Sequence, residues 1–234
     1  ELQLSLDELS KRYIEPAMAV LVSGIESDYI ASSSKAVYNV VGTAGTAMTD
    51  LTYSGLARAR LNQCLAPKDG NRYIQTDSTS MASVINGLKG LFQDSSQIKE
   101  QYREGMMGRT SGFDWYENDR MWTLPNAEDV TVTTASAAAV TDGGTNITLA
   151  SVGTATVAGM TFTVAGVYAC HPETKASLGY LQPYVITTGG TTTQAVSPAT
   201  ILTGPRQNVC DSAGVALATT AYNGTSIAVT FFGA

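Results

Sequence analysis

Histidine is all but missing from these 234 residues: His171 is the only one. Any hydrolase arrangement with an imidazole base would have to run through it. Cys170 is its neighbour, but adjacent residues of a strand point to opposite faces, so the two are not expected to meet. His171 reads as an ordinary loop histidine. Cysteine is scarce too, with Cys64, Cys170 and Cys210 showing no CxxC spacing. A structural zinc needs about four ligands, and these three with His171 lack the spacing of a known motif. An odd, sparse count reads as reduced thiols in a protein made in a reducing cytosol. Basic residues are outnumbered, 14 Lys and Arg against 20 Asp and Glu, for a net charge of -6. That argues against the basic surface of a nucleic-acid-coating protein. No apolar run approaches ~18 residues, so no transmembrane span is expected. The opening residues have neither a basic n-region nor an apolar h-region, so no signal peptide is expected, and the sequons at Asn146 and Asn223 then carry no meaning.

Other chemistry is thin. Gly42-Thr43-Ala44-Gly45 is not followed by Lys-Ser or Lys-Thr, so it is not a phosphate loop. Asp114, Glu117 and Asp119 cluster near Arg109 and Arg120; they read as a solvated or inter-subunit salt-bridge face, not as a metal or glycosidase site. No catalytic, cofactor-binding or metal-binding residue is expected.

What is present begins with Ser5 to about Ala31. Ser5-Leu6-Asp7-Glu8 is a capping box, with a hydroxyl to accept from the third helical amide and a glutamate to reach back. Ile14, Met18, Leu21, Ile25 and Tyr29 then recur at three- and four-residue steps, the spacing of one helical face. Such a helix is roughly 39 Å long at 1.5 Å per residue. Pro16 should bend it without ending it. Leu2 to Leu6 alternates like a strand, and a strand at the very start suggests missing upstream chain.

Beyond it, Ala31 to Ser34 should loosen the chain and Ala36 to Val41 form a short strand. A helix is expected from Thr49 to about Leu65, a turn at Pro67–Gly70 and a strand at Arg72–Gln75. Helices capped by Thr79 or Ser80 and by Ser95 or Ser96 follow, then a strand at Phe113–Glu117. This is an α+β order. Past Pro125 the composition breaks: residues 126–234 hold five acids, two bases and twenty-two threonines, against fifteen, twelve and eight before. Threonine is β-branched and favours strands. Turns at Asp142-Gly143-Gly144, Gly189-Gly190 and Asn223-Gly224 punctuate short alternating runs, the last suited to a type I′ hairpin. The region reads as a small antiparallel barrel or sandwich.

Several stretches resemble the major coat proteins of short-tailed bacteriophages. Ala158 to Ala169, His171-Pro172-Glu173-Thr174-Lys175 and Gly179 to Thr187 resemble the family's insertion domain. Leu2 to Ala17 looks like the end of its extended loop running into its spine helix. Tyr102 to Gly105, Gly108-Arg109 and Gly112 to Glu117 resemble the entry to its axial domain. The matches fall in the family's order over most of the chain. The resemblance implies the tailed-phage capsid fold with an inserted antiparallel β-barrel. Residues 1–70 would be the loop end, spine helix and peripheral-type domain, 71–125 an axial-type segment, and 126–234 the insertion. It implies a non-enzymatic, cofactor-free capsid subunit that assembles with copies of itself. Scaffolding and portal proteins would be its other partners, and the shell would enclose DNA without reading its sequence or engaging a membrane. The protein would be made in the host bacterial cytoplasm and reside in the virion. The family's N-terminal arm, outgoing loop half and return to the axial domain have no counterpart, so a fragment, or a chain lacking its flexible parts, is expected. The rival readings are a tail or surface adhesin with a Thr-rich β domain, and a hydrolase.

Overall fold

Helix runs without interruption from Leu6 to Lys35 in the computed structural model, which describes residues 6–88, 107–123, 131–133, 140–150, 152, 154–218 and 227–232. The rod comprises α1 (Leu6–Leu9), a π-helical turn (Ser10–Ile14) and α2 (Glu15–Lys35). Pro16 stands at the start of α2 but inside the continuous rod, so its missing N–H removes one internal helix bond. In the π turn just before it, the Glu15 amide donates to the Ser10 carbonyl, five residues back. The wider turn fits the proline ring without breaking the rod. Pro16 therefore does not end the helix. Ser5, half of the expected capping box, and the strand through Leu2 to Ser5 lie outside the described residues.

Two expectations nearby fail. Ala31 to Ser34 is helix, not loop; the Ser33 hydroxyl donates back to the Ile30 carbonyl at 3.0 Å, so the serine is satisfied inside the helix. Ala36 to Val41 is not a strand. Its β-branched residues have no neighbouring strand to pair with, and propensity alone makes no sheet.

The smaller sheet holds β1 (Tyr73–Thr76), β3 (Phe113–Glu117) and β2 (Arg109–Thr110) in the order β1-β3-β2. β1 and β3 are parallel, with Ile74 opposite Trp115. Ser111 and Gly112 both have positive φ, 59° and 84°, which makes a two-residue I′ turn between β2 and β3. Helix α3 (Thr52–Gln63) precedes this sheet, and α4 (Ser78–Leu88) lies between β1 and β3 in sequence. Asp77, not Thr79 or Ser80, caps α4: its carboxylate accepts the Ser80 amide at 3.2 Å and its carbonyl the Met81 amide at 3.0 Å. A charged acceptor at the positive helix end serves better than a hydroxyl. Met81, Val84 and Leu88 are buried on one face of α4, against Phe113 and Trp115. The helix expected from Ser95 or Ser96, with Ile98 and Tyr102, lies outside the described residues.

The second sheet follows in sequence: β4 (Thr131–Thr133), β5 (Gly144–Thr148), β6 (Thr161–Cys170), β7 (Ser177–Thr188), β8 (Thr193–Thr200), β9 (Val209–Cys210) and β10 (Ala228–Phe231). Its order is β4-β10-β6-β7-β8-β5, with β9 also on β6. Among the described residues no ladder joins β5 to β4, and the sheet is a curled half-barrel within the expected α+β class. β6 is one strand bulged between Thr163 and Tyr168, with Gly166 at φ 81°, although Ala165-Gly166 breaks its alternation in the sequence. The bulge re-aims the edge: Phe162 to Val164 pair with β10, and Tyr168 and Ala169 with β9.

The Asp142-Gly143-Gly144 turn forms, and β5 pairs on one edge with β8, about fifty residues away; the run before the turn, its expected hairpin partner, lies largely outside the described residues. β10 pairs with β4 on one side and β6 on the other, so both its edges are occupied. Of the run expected to pair with it across Asn223-Gly224, Val215 to Ala218 is not strand and 219–222 lie outside the described residues. Asn223 and Gly224 lie outside the described residues. The Gly189-Gly190 connection does join β7 to β8.

The second core is a stack. Phe162 sits 5.8 Å from Tyr184 and 5.3 Å from Phe231 between ring centroids, surrounded by Ile186, Leu149, Ile147 and Val229. Burying each such side chain stabilises by about 1.5–3 kcal/mol. The Tyr184 hydroxyl accepts from the Thr200 hydroxyl at 3.1 Å, and full burial pushes its phenol well above the ordinary value.

Candidate functional surfaces

His171 sits in the turn after β6, as expected of a loop histidine. Its Nδ1 accepts the amides of Glu173 and Thr174 at 3.2 and 3.3 Å, so that lone pair is committed to the turn. Lys175, at φ 59°, donates from Nζ to the carbonyls of Pro172, Pro205 and Gln207 at 2.6 to 3.3 Å. This ammonium ties the β6–β7 turn to the loop before β9. It is a structural cation.

The thiols are placed for packing. Cys170 and Cys210 are buried on paired strands, and burial pushes both up, Cys210 to about 11. A thiol so raised is protonated at neutral pH and a poor nucleophile. Cys64 is exposed at the end of α3, where its sulfur accepts the Asn39 side-chain amide at 3.9 Å. Cys64 and Cys170 border one cavity of about 150 Å³ with Tyr38, Tyr180 and Pro198; His171 and Cys210 do not line it. Among the described residues no three His, Cys, Asp or Glu side chains could hold a metal ion.

The acidic cluster is dispersed into structural contacts. Asp114 pairs with Arg109 at 3.6 Å, and Asp119 accepts from the Ser78 hydroxyl. Glu26 of the long helix accepts from Asn118 Nδ2 at 2.7 Å and pairs with Arg120 at 3.7 Å. These bonds fasten α2 to the segment after β3. The salt-bridge face is there, within one chain.

Two contacts that no spacing announces hold the helical part to the β sheet. The Arg60 guanidinium lies over the Tyr180 ring, 3.2 Å from its centroid. Arg60 Nη1 is buried without a hydrogen-bond partner among the described residues, so the ring face is what compensates that charge. Lys35 at the end of α2 places Nζ 5.3 Å from the Trp122 ring, and its stem crosses Gly159, where a Cβ would stand 2.8 Å from Lys35 Cγ. Arg60 and Tyr180 are 120 positions apart, beyond the reach of any periodicity argument.

The most exposed apolar surface lies on the long helix. Tyr13, Ile14, Met18, Leu21, Ile25 and Tyr29, the face expected to be core-facing, are exposed, Tyr29 at 73%. So are Val20 and Val22, on other sides of the rod, while Ile30 alone in α2 is buried. The rod also carries Lys11, Arg12, Glu15, Glu26 and Asp28, yet the described residues leave most of its apolar side chains uncovered. Contiguous exposed apolar surface of this kind marks an interaction site. No helix among the described residues is long and apolar enough to cross a membrane. No protein-family model matches the chain, and no curated protein does.

Proposed function

We propose that this chain is a non-enzymatic subunit of a protein shell, the major capsid protein of a tailed phage or prophage. The observation that carries the proposal is the long helix from Leu6 to Lys35, most of whose apolar side chains the described residues leave exposed. A subunit finished by its neighbours has a reason to keep such a rod uncovered; a self-contained enzyme or adhesin does not. The order of stretches that resemble short-tailed-phage coat proteins supports the same reading. In it α1 and α2 are the spine of the tailed-phage capsid fold, the smaller sheet is axial-type and the curled sheet is the inserted domain. Partners are copies of the same chain, with scaffolding and portal proteins, around DNA whose sequence is not read.

The absence of a free imidazole base at His171 and the protonated state of Cys170 and Cys210 leave a hydrolase without a nucleophile–base pair at these positions. Electron microscopy of the full-length gene product, expressed with its neighbouring genes, tests the proposal. Closed shells are expected. Fibres would favour the tail or surface adhesin, and dispersed monomers would overturn the shell reading.

A further inference from the structure

On the face of the molecule between α3 and the smaller sheet, four cations converge on one cavity of about 150 Å³. Arg58 comes from α3, Lys68 from the loop after it, Arg72 from the approach to β1, and Arg109 from β2; Asn62 and Gly112 complete the wall. Among the described residues no carboxylate lines it. Such a gathering is not compositional, because the chain as a whole carries a net charge of -6.

The cations are held in place. Arg72 donates from Nε to the Pro67 carbonyl at 3.0 Å, from Nη1 to Asn62 Oδ1 at 3.0 Å and from Nη2 to the Ala66 carbonyl at 2.9 Å. Arg109 donates to the Gly70 carbonyl at 2.8 Å, and Asp114 at 3.6 Å offsets part of its charge. Glycines at positive φ stand against two of the guanidiniums. A Cβ at Gly112 would lie 3.3 Å from Arg58 Cζ, and one at Gly70 3.4 Å from Arg109 Nη2. Asp69, the nearest acid in sequence, turns both carboxylate oxygens to Asn71. Arg58 and Lys68 make no hydrogen bond or ion pair among the described residues. Like charges brought together repel, so an arrangement with two unneutralised cations beside two fixed ones is stabilised by an anion between them.

We propose that this cavity is a binding site for a phosphate-class oxyanion, taken either as free inorganic phosphate or as the phosphate of a nucleic-acid backbone. Guanidinium forks match tetrahedral oxyanions with paired, charge-assisted hydrogen bonds. The volume suits one such group and not a bulky ligand. The site stands independently of the shell reading, since an isolated subunit would bind the anion equally well.

The test is calorimetric titration of the full chain with inorganic phosphate, chloride being adjusted to hold ionic strength constant, alongside anisotropy of a labelled single-stranded oligonucleotide. Arg58→Gln and Lys68→Gln remove charge without removing a polar contact of the fold, and Arg12→Gln on the long helix is the control. Saturable phosphate binding that weakens on the order of tenfold in each cavity variant, the loss of one hydrogen bond to a charged group, and is unchanged in the control supports free phosphate. Oligonucleotide binding with the same variant pattern and no response to phosphate assigns the backbone source. The proposal is overturned if neither ligand binds, if binding is indifferent to both variants, or if succinate competes as well as phosphate does.

Discussion

Gly87 in α4 and Gly55 in α3 are both helical glycines, and ordinary propensity says that alanine should improve each by about 1 kcal/mol. Their surroundings differ. Nothing lies within 4 Å of a Cβ built at Gly55, whereas one at Gly87 overlaps the Thr49 carbonyl oxygen and stands 3.3 Å from the Thr49 carbonyl carbon. That carbonyl belongs to the segment leading into α3, so the obstacle is backbone and not the far end of a flexible side chain. Forcing a methyl into such a contact costs about 1–3 kcal/mol. Gly55→Ala should therefore stabilise by about 1 kcal/mol, and Gly87→Ala should offset or reverse that gain. The gap between the two variants isolates the steric term. Urea unfolding followed by tryptophan fluorescence reads it, because Trp115 lies in the same core as Met81, Val84 and Leu88 of α4. Equal stabilisation by both alanines would refute the close approach of α4 to Thr49.

Native protein at pH 8 should react with iodoacetamide first at exposed Cys64, with Cys170 and Cys210 following only on unfolding; prompt modification of all three would contradict the burial. Denatured, unreduced protein should titrate three thiols, and a count of one would mean a disulfide. Because the folded Cys210 value lies above its ordinary 9.0, its contribution to stability is intact below pH 9 and is lost as pH rises toward about 11, which alkaline denaturation of a Cys210→Ala variant checks. A double-mutant cycle of Arg60→Met and Tyr180→Leu should return a coupling of about 0.5–2 kcal/mol, and strict additivity would remove the cation–π contact. Residues 126–234 should fold alone, since the aromatic core draws all its members from Val140 to Phe231; a collapsed amide NMR spectrum of that fragment would count against this.

The sequence by itself determined those features whose cause is local. The long helix, α3, α4, β1, β3 and the β7–β8 connection follow from periodicity and from paired glycines, all within a few residues of their effect. The α+β class and the concentration of strands after Pro125 follow from composition, since threonine excess and charge depletion are properties of the whole segment. Tertiary structure decided what depends on partners distant in sequence. Gly143-Gly144 specifies a turn, but that the strand after it pairs with β8, far along the chain, is not legible there. The alternating run at Ile227 to Phe232 is legible, but that both its edges would be taken by β4 and β6 is not. The face of Ile14, Met18, Leu21 and Ile25 is legible as apolar and helical, while whether anything covers it depends on packing. The same limit hid the gathering of Arg58, Lys68, Arg72 and Arg109, spread over fifty-one positions and joined only when α3 folds against the sheet. Periodicity encodes which face of an element is apolar or charged; what that face meets is fixed by contacts between elements, and those carry no local signal.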